Sequence, residues 1–170
     1  MMTLYEIWSK VCSHQVTGLM YHFQFADMLY FLGLDKLGAD QEEHYRKESD
    51  ALRENHCFVL RHHSKILMTG HAAGIELIPS AWARYSMSDV DKSTRKSQVA
   101  SIFDSWANWE LQTKELYTEM YQEAKQQHAL VDACRLKEMI LDVEAELVHI
   151  RGCINKLKMC EYSTESMLEL

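Results

Sequence analysis

Apolar residues along most of this chain recur three and four positions apart, the period that aligns one face of an α-helix. The first run opens at Thr3-Leu4-Tyr5-Glu6, a capping box in which the threonine hydroxyl meets a free amide of the first turn and Glu6 reaches back. Its face carries Leu4, Trp8, Val11, Leu19, Phe25, Leu29 and Leu32, with Val16, Phe23 and Ala26 beside them, until Gly33 and Gly38 end it. Asp40-Gln41-Glu42-Glu43 repeats the cap signature and opens a second helix with the stripe Tyr45, Ser49, Leu52, His56, Val59, His63, Ile66, closed by Gly70. The short link makes these two helices antiparallel neighbours.

From His71 to about Met87 the period fails, and Gly74 and Pro79 mark a long connection with room for a short helix around 80–85. Ser88-Asp89-Val90-Asp91 predicts the start of a third helix, whose stripe is Phe103, Trp106, Glu110, Thr113, Tyr117, Met120, Ala124. The fourth has the cleanest seam: Ala129, Ala133, Leu136, Ile140, Val143, Leu147, Ile150, Ile154, Leu157. No Gly or Pro separates the last two, but their stripes are out of phase near His128, which predicts a turn there; one continuous helix is the alternative. The pattern as a whole predicts an all-α four-helix bundle over 1–160, two antiparallel hairpins joined by a long crossover, and a polar C-terminal tail, 161–170.

Composition sharpens this picture. Six glycines and one proline in 170 residues leave few helix breakers. A net charge of -7 without a basic stripe argues against nucleic acid as a partner. No apolar run reaches the ~18 residues of a membrane span, and the start MMTLYEIWSK lacks a basic region followed by an apolar core. A cytoplasmic protein with no membrane partner is expected. The five cysteines are odd in number and never spaced C-x-x-C, as reduced thiols are.

Chemistry is sought where polar groups interrupt apolar stripes, because an unpaired charge in a core is costly. The candidates are Gln15 and His22 on helix 1, His56, His63 and Glu48 on helix 2, Glu110 on helix 3, and Glu146 with His149 on helix 4, where the flank Asp142, Glu146, His149, Cys153 is rich in metal donors. Folding helices 3 and 4 back around residue 128 places Glu110 opposite Glu146. A first turn centred near 37 places His22 near Arg53 and His56, and Asp27 beside Glu48. If helices 2 and 3 run parallel, Glu110 lies between His56 and His63 in height. The competing reading keeps Glu110 as a partner of an indole N–H or a buried cation, and each histidine as a satisfied core group. Trp106, Trp109, Tyr117 and Tyr121 read as core aromatics by their helical spacing.

The paired long hairpins, with Glu110 inside helix 3 and Glu146-x-x-His149 on helix 4, resemble the ferritin-like superfamily, including the bacterioferritins. The resemblance implies a homo-oligomer that binds non-haem iron, or manganese, at a di-iron type site, with iron oxidation or storage. It carries over to Glu110, Glu146 and His149; His22, His56 and Glu48 complete the candidate metal set. Helix 2 departs from the pattern, since Arg53 and Leu60 stand three before His56 and His63 and no second E-x-x-H exists. Helix 1 offers His22 and Asp27 where the family has a glutamate. His22 with Asp50-Ala-Leu-Arg-Glu54 is also similar to starvation-induced mini-ferritins, without their second histidine or basic tail. IPSAWARYSMSDVD and WANWELQTKELY resemble uncharacterised helical proteins of Gram-positive bacteria and their phages, a likeness that brings no activity. The alternative function is a phage-derived, non-enzymatic helical protein that binds a host protein or its own copies. No nucleophile motif appears, and the residues leave open whether any reaction is catalysed.

Overall fold

The computed structural model describes residues 2–67 and 92–163. Among these lie four helices: α1 Leu4–Phe31, α2 Asp35–His63, α3 Lys92–Gln126 and α4 Leu130–Met159. The capping box at Thr3 is formed: the Glu6 amide donates to Thr3 Oγ1 at 3.2 Å and the Thr3 amide to Glu6 Oε2 at 2.7 Å. Gly33 ends α1 at φ 72, where the Gly33 amide donates to the Tyr30 carbonyl and the Leu34 amide to that of Leu29, both at 2.9 Å.

The second helix starts earlier than its sequence suggests. Asp40 is not an N-cap but lies inside α2, which begins at Asp35. Gly38 is no breaker; it lets Tyr30 close over the helix, since a Cβ there would come within 2.8 Å of the Tyr30 ring. The far end of α2 also differs, stopping at His63 with Ser64 in the left-handed region at φ 52. Gly70, the connection over 71–87 with its short helix, and the cap at 88–91 lie outside the described residues. The turn near His128 is observed, with His128 at φ 57, so α3 and α4 are not one helix.

Cross-helix contacts fix the topology. Gln15 meets Asn55 and Phe23 meets Tyr45, so α1 and α2 are antiparallel. His14 meets Thr113 and Met2 meets Glu123, which makes α1 antiparallel to α3. His63 with Asp132 and His44 with Glu146 make α2 antiparallel to α4. It follows that α2 and α3 run parallel across the diagonal, as a crossover bundle requires.

Two apolar clusters fill the ends. One gathers Ile7, Trp8, Val11, Val59, Met120 and Leu136; the other gathers Phe25, Leu29, Leu32, Ile102, Trp106 and Ile150. The α3 stripe from Phe103 to Ala124 is buried throughout, including Glu110 and Thr113. By contrast Phe23 is 51% exposed, and Tyr45 and Ile66 of the expected α2 stripe are also exposed. The inward face of α2 is instead Leu37, Gln41, His44, Glu48, Asn55, Val59, which is polar along its middle.

Alanine normally improves an exposed helical glycine by up to about 1 kcal/mol. Gly152→Ala, where an added Cβ meets nothing within 4 Å, should raise stability by about that amount. Gly38→Ala should instead lower it by about 1 kcal/mol through overpacking against Tyr30. Urea denaturation of the two variants measures both.

Candidate metal centre

Between the two apolar clusters the bundle encloses a cavity of about 300 Å³. Its wall is built from all four helices: Gln15 and His22, then His44, Glu48 and Asn55, then Glu110 and Tyr117, then Asp142 and Glu146. Exposed Lys47, Glu54 and Asp142 place its mouth between α2 and α4. Glu110 is 4% exposed and has His22 Nε2 3.8 Å from its Oε1. On the other edge of the same ring, His22 Nδ1 donates to Gln41 Oε1 at 3.0 Å, which leaves the Nε2 lone pair facing Glu110. Glu146 Oε1 is buried and receives no hydrogen bond, although His44 Nδ1 stands 3.3 Å away.

The electrostatics follow from crowding anions in a dry space. Burial raises Glu110 to about 8, and Glu48 and Glu146 add to it, opposed by the Trp106 indole. Glu48 rises to about 7 by burial and then by Asp142. Glu146 also rises to about 7, by burial and then by Asp40. Burial pushes His44 down to about 4 and lowers His22 as well, so both imidazoles are neutral with an open lone pair near pH 7. Facing carboxylates that retain protons, beside neutral imidazoles, form a donor set that trades protons for a cation.

On the outer side of His44 a second group forms. Asp40, His44 and His149 each place a donor atom within 4.8 Å of the others. Cys153 lies one turn beyond His149, with Sγ 3.7 Å from His149 Nε2.

Glu110 and Glu146 share the cavity, at the level their turn at 128 implies, and Glu48 joins them. His149 does not line the cavity; it stands outside with Asp40. His56 is not brought to the cavity either, and His22 faces Gln41 and His44 rather than Arg53 and His56. The cause is the first turn, which lies at Leu32–Leu34 and not near 37, so every pairing across that hairpin is displaced by about two turns of helix. Asp27 is exposed and not beside Glu48. Glu110 stands level with Glu48 and His22, below both His56 and His63; the latter bonds Asp132 at 2.6 Å in the apolar end. His44 and Asp40 were not singled out, yet Asp40-x-x-x-His44-x-x-x-Glu48 stacks three donors on one helical face, a signal present in the sequence.

No protein-family profile and no curated protein matches the sequence. Solved structures do match the fold. The crystal structure of an iron-soaked variant of the ferritin PmFTN superposes with a TM-score of 0.78 at 12% identity over 98% of this chain and 96% of that one. An open-pore ferritin from the hyperthermophilic archaeon Archaeoglobus fulgidus gives 0.77 at 13% identity, over 96% and 90%. The chain thus has the ferritin-like four-helix fold. No helix among the described residues is long and apolar enough to cross a membrane.

The pH dependence of stability has a definite sign. Above pH 6.5 unfolded glutamates and histidines have shed their protons, whereas folded Glu48, Glu110 and Glu146 keep theirs up to about 7, 8 and 7. The folded state then binds more protons, so stability falls as pH rises through this window. Below pH 6.5 the lowered histidines act the opposite way and offset the glutamates. The urea midpoint of chelator-treated protein should therefore drop between pH 6.5 and about 8.5, and Glu110→Gln, which has no proton to lose, should flatten the drop.

Proposed function

We propose that this ferritin-like bundle binds iron in its central cavity and oxidises or stores it. The observation that carries the reading is three glutamates from three helices on one cavity wall, Glu110 buried and Glu48 and Glu146 half-buried, with a Glu146 oxygen that has no donor. With Glu54 paired to Arg135 at 2.9 Å, the carboxylates left in the wall are Glu48, Glu110, Asp142 and Glu146. Two divalent ions carry an equal and opposite charge. In this reading Glu110 and Glu146 face each other across the ions, Glu48 closes the α2 side, and His22 presents Nε2 from α1. Carboxylate and imidazole donors suit both ferrous iron and manganese. Neighbours of the same fold were soaked in iron, and this favours iron.

The chain's own part is to bind, to exchange protons and to exclude water. Protons held on the glutamates leave as ferrous ions enter, so uptake strengthens with rising pH. As substrate, two ferrous ions supply the electrons that, with two protons, convert dioxygen to hydrogen peroxide. Trp106, Tyr117 and the apolar clusters above and below close the ends of the cavity, leaving solvent access at its mouth between α2 and α4.

Anaerobic ferrous titration of the chelator-treated protein at constant pH should release protons, and admission of oxygen should then produce ferric absorbance. Glu110→Gln should slow the oxidation and weaken iron binding by at least about tenfold, while His56→Ala should leave both unchanged. Equal iron uptake by Glu110→Gln and the parent protein would refute the assignment.

The same reading includes self-association. Met20, Phe23 and Tyr45 form an exposed apolar group on the outer face of α1 and α2, with Phe23 and Tyr45 ring centres 6.3 Å apart. Light scattering should give a mass that is a multiple of the chain, and Phe23→Glu should reduce it.

A further inference from the structure

The donors beyond the cavity wall differ in kind from those inside it. Inside, carboxylates dominate; outside, α2 and α4 assemble one carboxylate, two imidazoles and a thiol. Asp40 Oδ2 stands 3.8 Å from His44 Nε2 and 3.8 Å from His149 Nε2, and His149 Nε2 stands 3.7 Å from Cys153 Sγ. The two Asp40–imidazole separations exceed the roughly 2.7–3.2 Å of N–H···O hydrogen bonds, while the Cys153 thiol is within hydrogen-bonding reach of His149 Nε2. The donor atoms of Asp40, His44 and His149 lie within 4.8 Å of one another, near the roughly 3.3–3.8 Å that bonds of about 2.0–2.3 Å set between neighbouring donors of a small tetrahedral ion, and Cys153 adjoins the group through His149.

We propose that Asp40, His44 and His149 form a mononuclear site for a tetrahedral divalent ion of zinc-like preference beside the carboxylate cavity, and that the Cys153 thiol turns in from His149 to complete it. Thiolate and imidazole select such an ion over hard cations. Sequence spacing supports the geometry, because Asp40 and His44 are four apart on α2, and His149 and Cys153 are four apart on α4. Each pair lies on one helical face, and the two faces meet because α2 and α4 are antiparallel neighbours. Glu146 is placed to take the orienting role: its Oε1 lies 3.3 Å from His44 Nδ1 and has no hydrogen-bond donor, so a small turn of either side chain makes the bond by which a carboxylate holds a histidine ligand with Nε2 outward. The side chains of Asp40 and His149 are 44% and 48% exposed, so the ion enters from solvent and the displaced thiol proton leaves to it.

Cobalt(II) is the probe, because a tetrahedral cobalt site absorbs intensely in the visible and a thiolate adds a charge-transfer band in the near ultraviolet. Chelator-treated protein should develop both bands with one equivalent of cobalt, and zinc should bleach them. Cys153→Ser should remove the charge-transfer band and weaken binding at least tenfold, and His149→Ala should remove the tetrahedral bands. A Glu48→Gln, Glu110→Gln double variant should keep both bands. The proposal is overturned if the bands persist unchanged in Cys153→Ser and His149→Ala, or if they vanish in the double variant. The site does not depend on iron binding in the cavity: ferrous oxidation lost with Glu110→Gln but retained in Cys153→Ser tests the cavity alone. Unaltered helical circular dichroism in each variant separates loss of donors from loss of fold.

Discussion

Glu48, Glu110 and Glu146 share one partly enclosed cavity, and burial together with their mutual repulsion makes it costly to keep all three ionised without a cation. The rest of the bundle is arranged around that constraint. Apolar clusters lie above and below, where burial stabilises the helices, and the middle is given to groups that destabilise the protein when left charged and unpaired. Tilting the proton equilibrium upward lets the protein tolerate the cluster, since a neutral glutamate is less costly to bury than an anionic one. That tolerance and the proposed uptake of a cation are two aspects of one electrostatic arrangement.

Holding the glutamates level requires that the helices not slide. Polar contacts placed off the cavity centre serve this purpose. Trp8 Nε1 donates to Asp132 Oδ1 at 2.7 Å, and His63 reaches the same oxygen, tying α1 and α2 to the start of α4. Asn55 donates to Gln15 at 3.0 Å and accepts from Arg135 at 3.2 Å, linking the same three helices one level nearer the cavity. His14 bonds Thr113 at 2.7 Å and stacks on Trp109 at 4.1 Å, which joins α1 to α3. A shift of one residue along any helix, about 1.5 Å, breaks these directional contacts, whereas apolar packing alone has no such single register.

Glu146 and His44 stand at the boundary between the cavity and the donors outside it. Glu146 lines the cavity and approaches His44, whose other nitrogen faces Asp40. The carboxylate-rich interior and the outer donor group therefore share His44 as a common side chain. Trp106 packs against His22, His44 and His149 from the apolar side and limits the rotamers of all three.

The helical periods, the capping box at Thr3, the break at His128 and the placing of Glu110 opposite Glu146 were legible in the sequence, because each depends on neighbours along the chain or on one well-marked turn. The inward face of α2 was not. Hydrophobic periodicity finds a buried face only when what lies opposite is apolar, and His44, Glu48 and Asn55 point into a polar cavity while Gln41 bonds His22, so they read as surface residues. The register of the first hairpin was likewise hidden, since Gly38 looks like a helix end until Tyr30 is seen packed against it. The chain by itself determined four helices and several of the polar groups that line the cavity. Which donors meet was decided only when the helices packed, because a two-turn change in one loop moves every cross-helix pair while leaving each helix as it was.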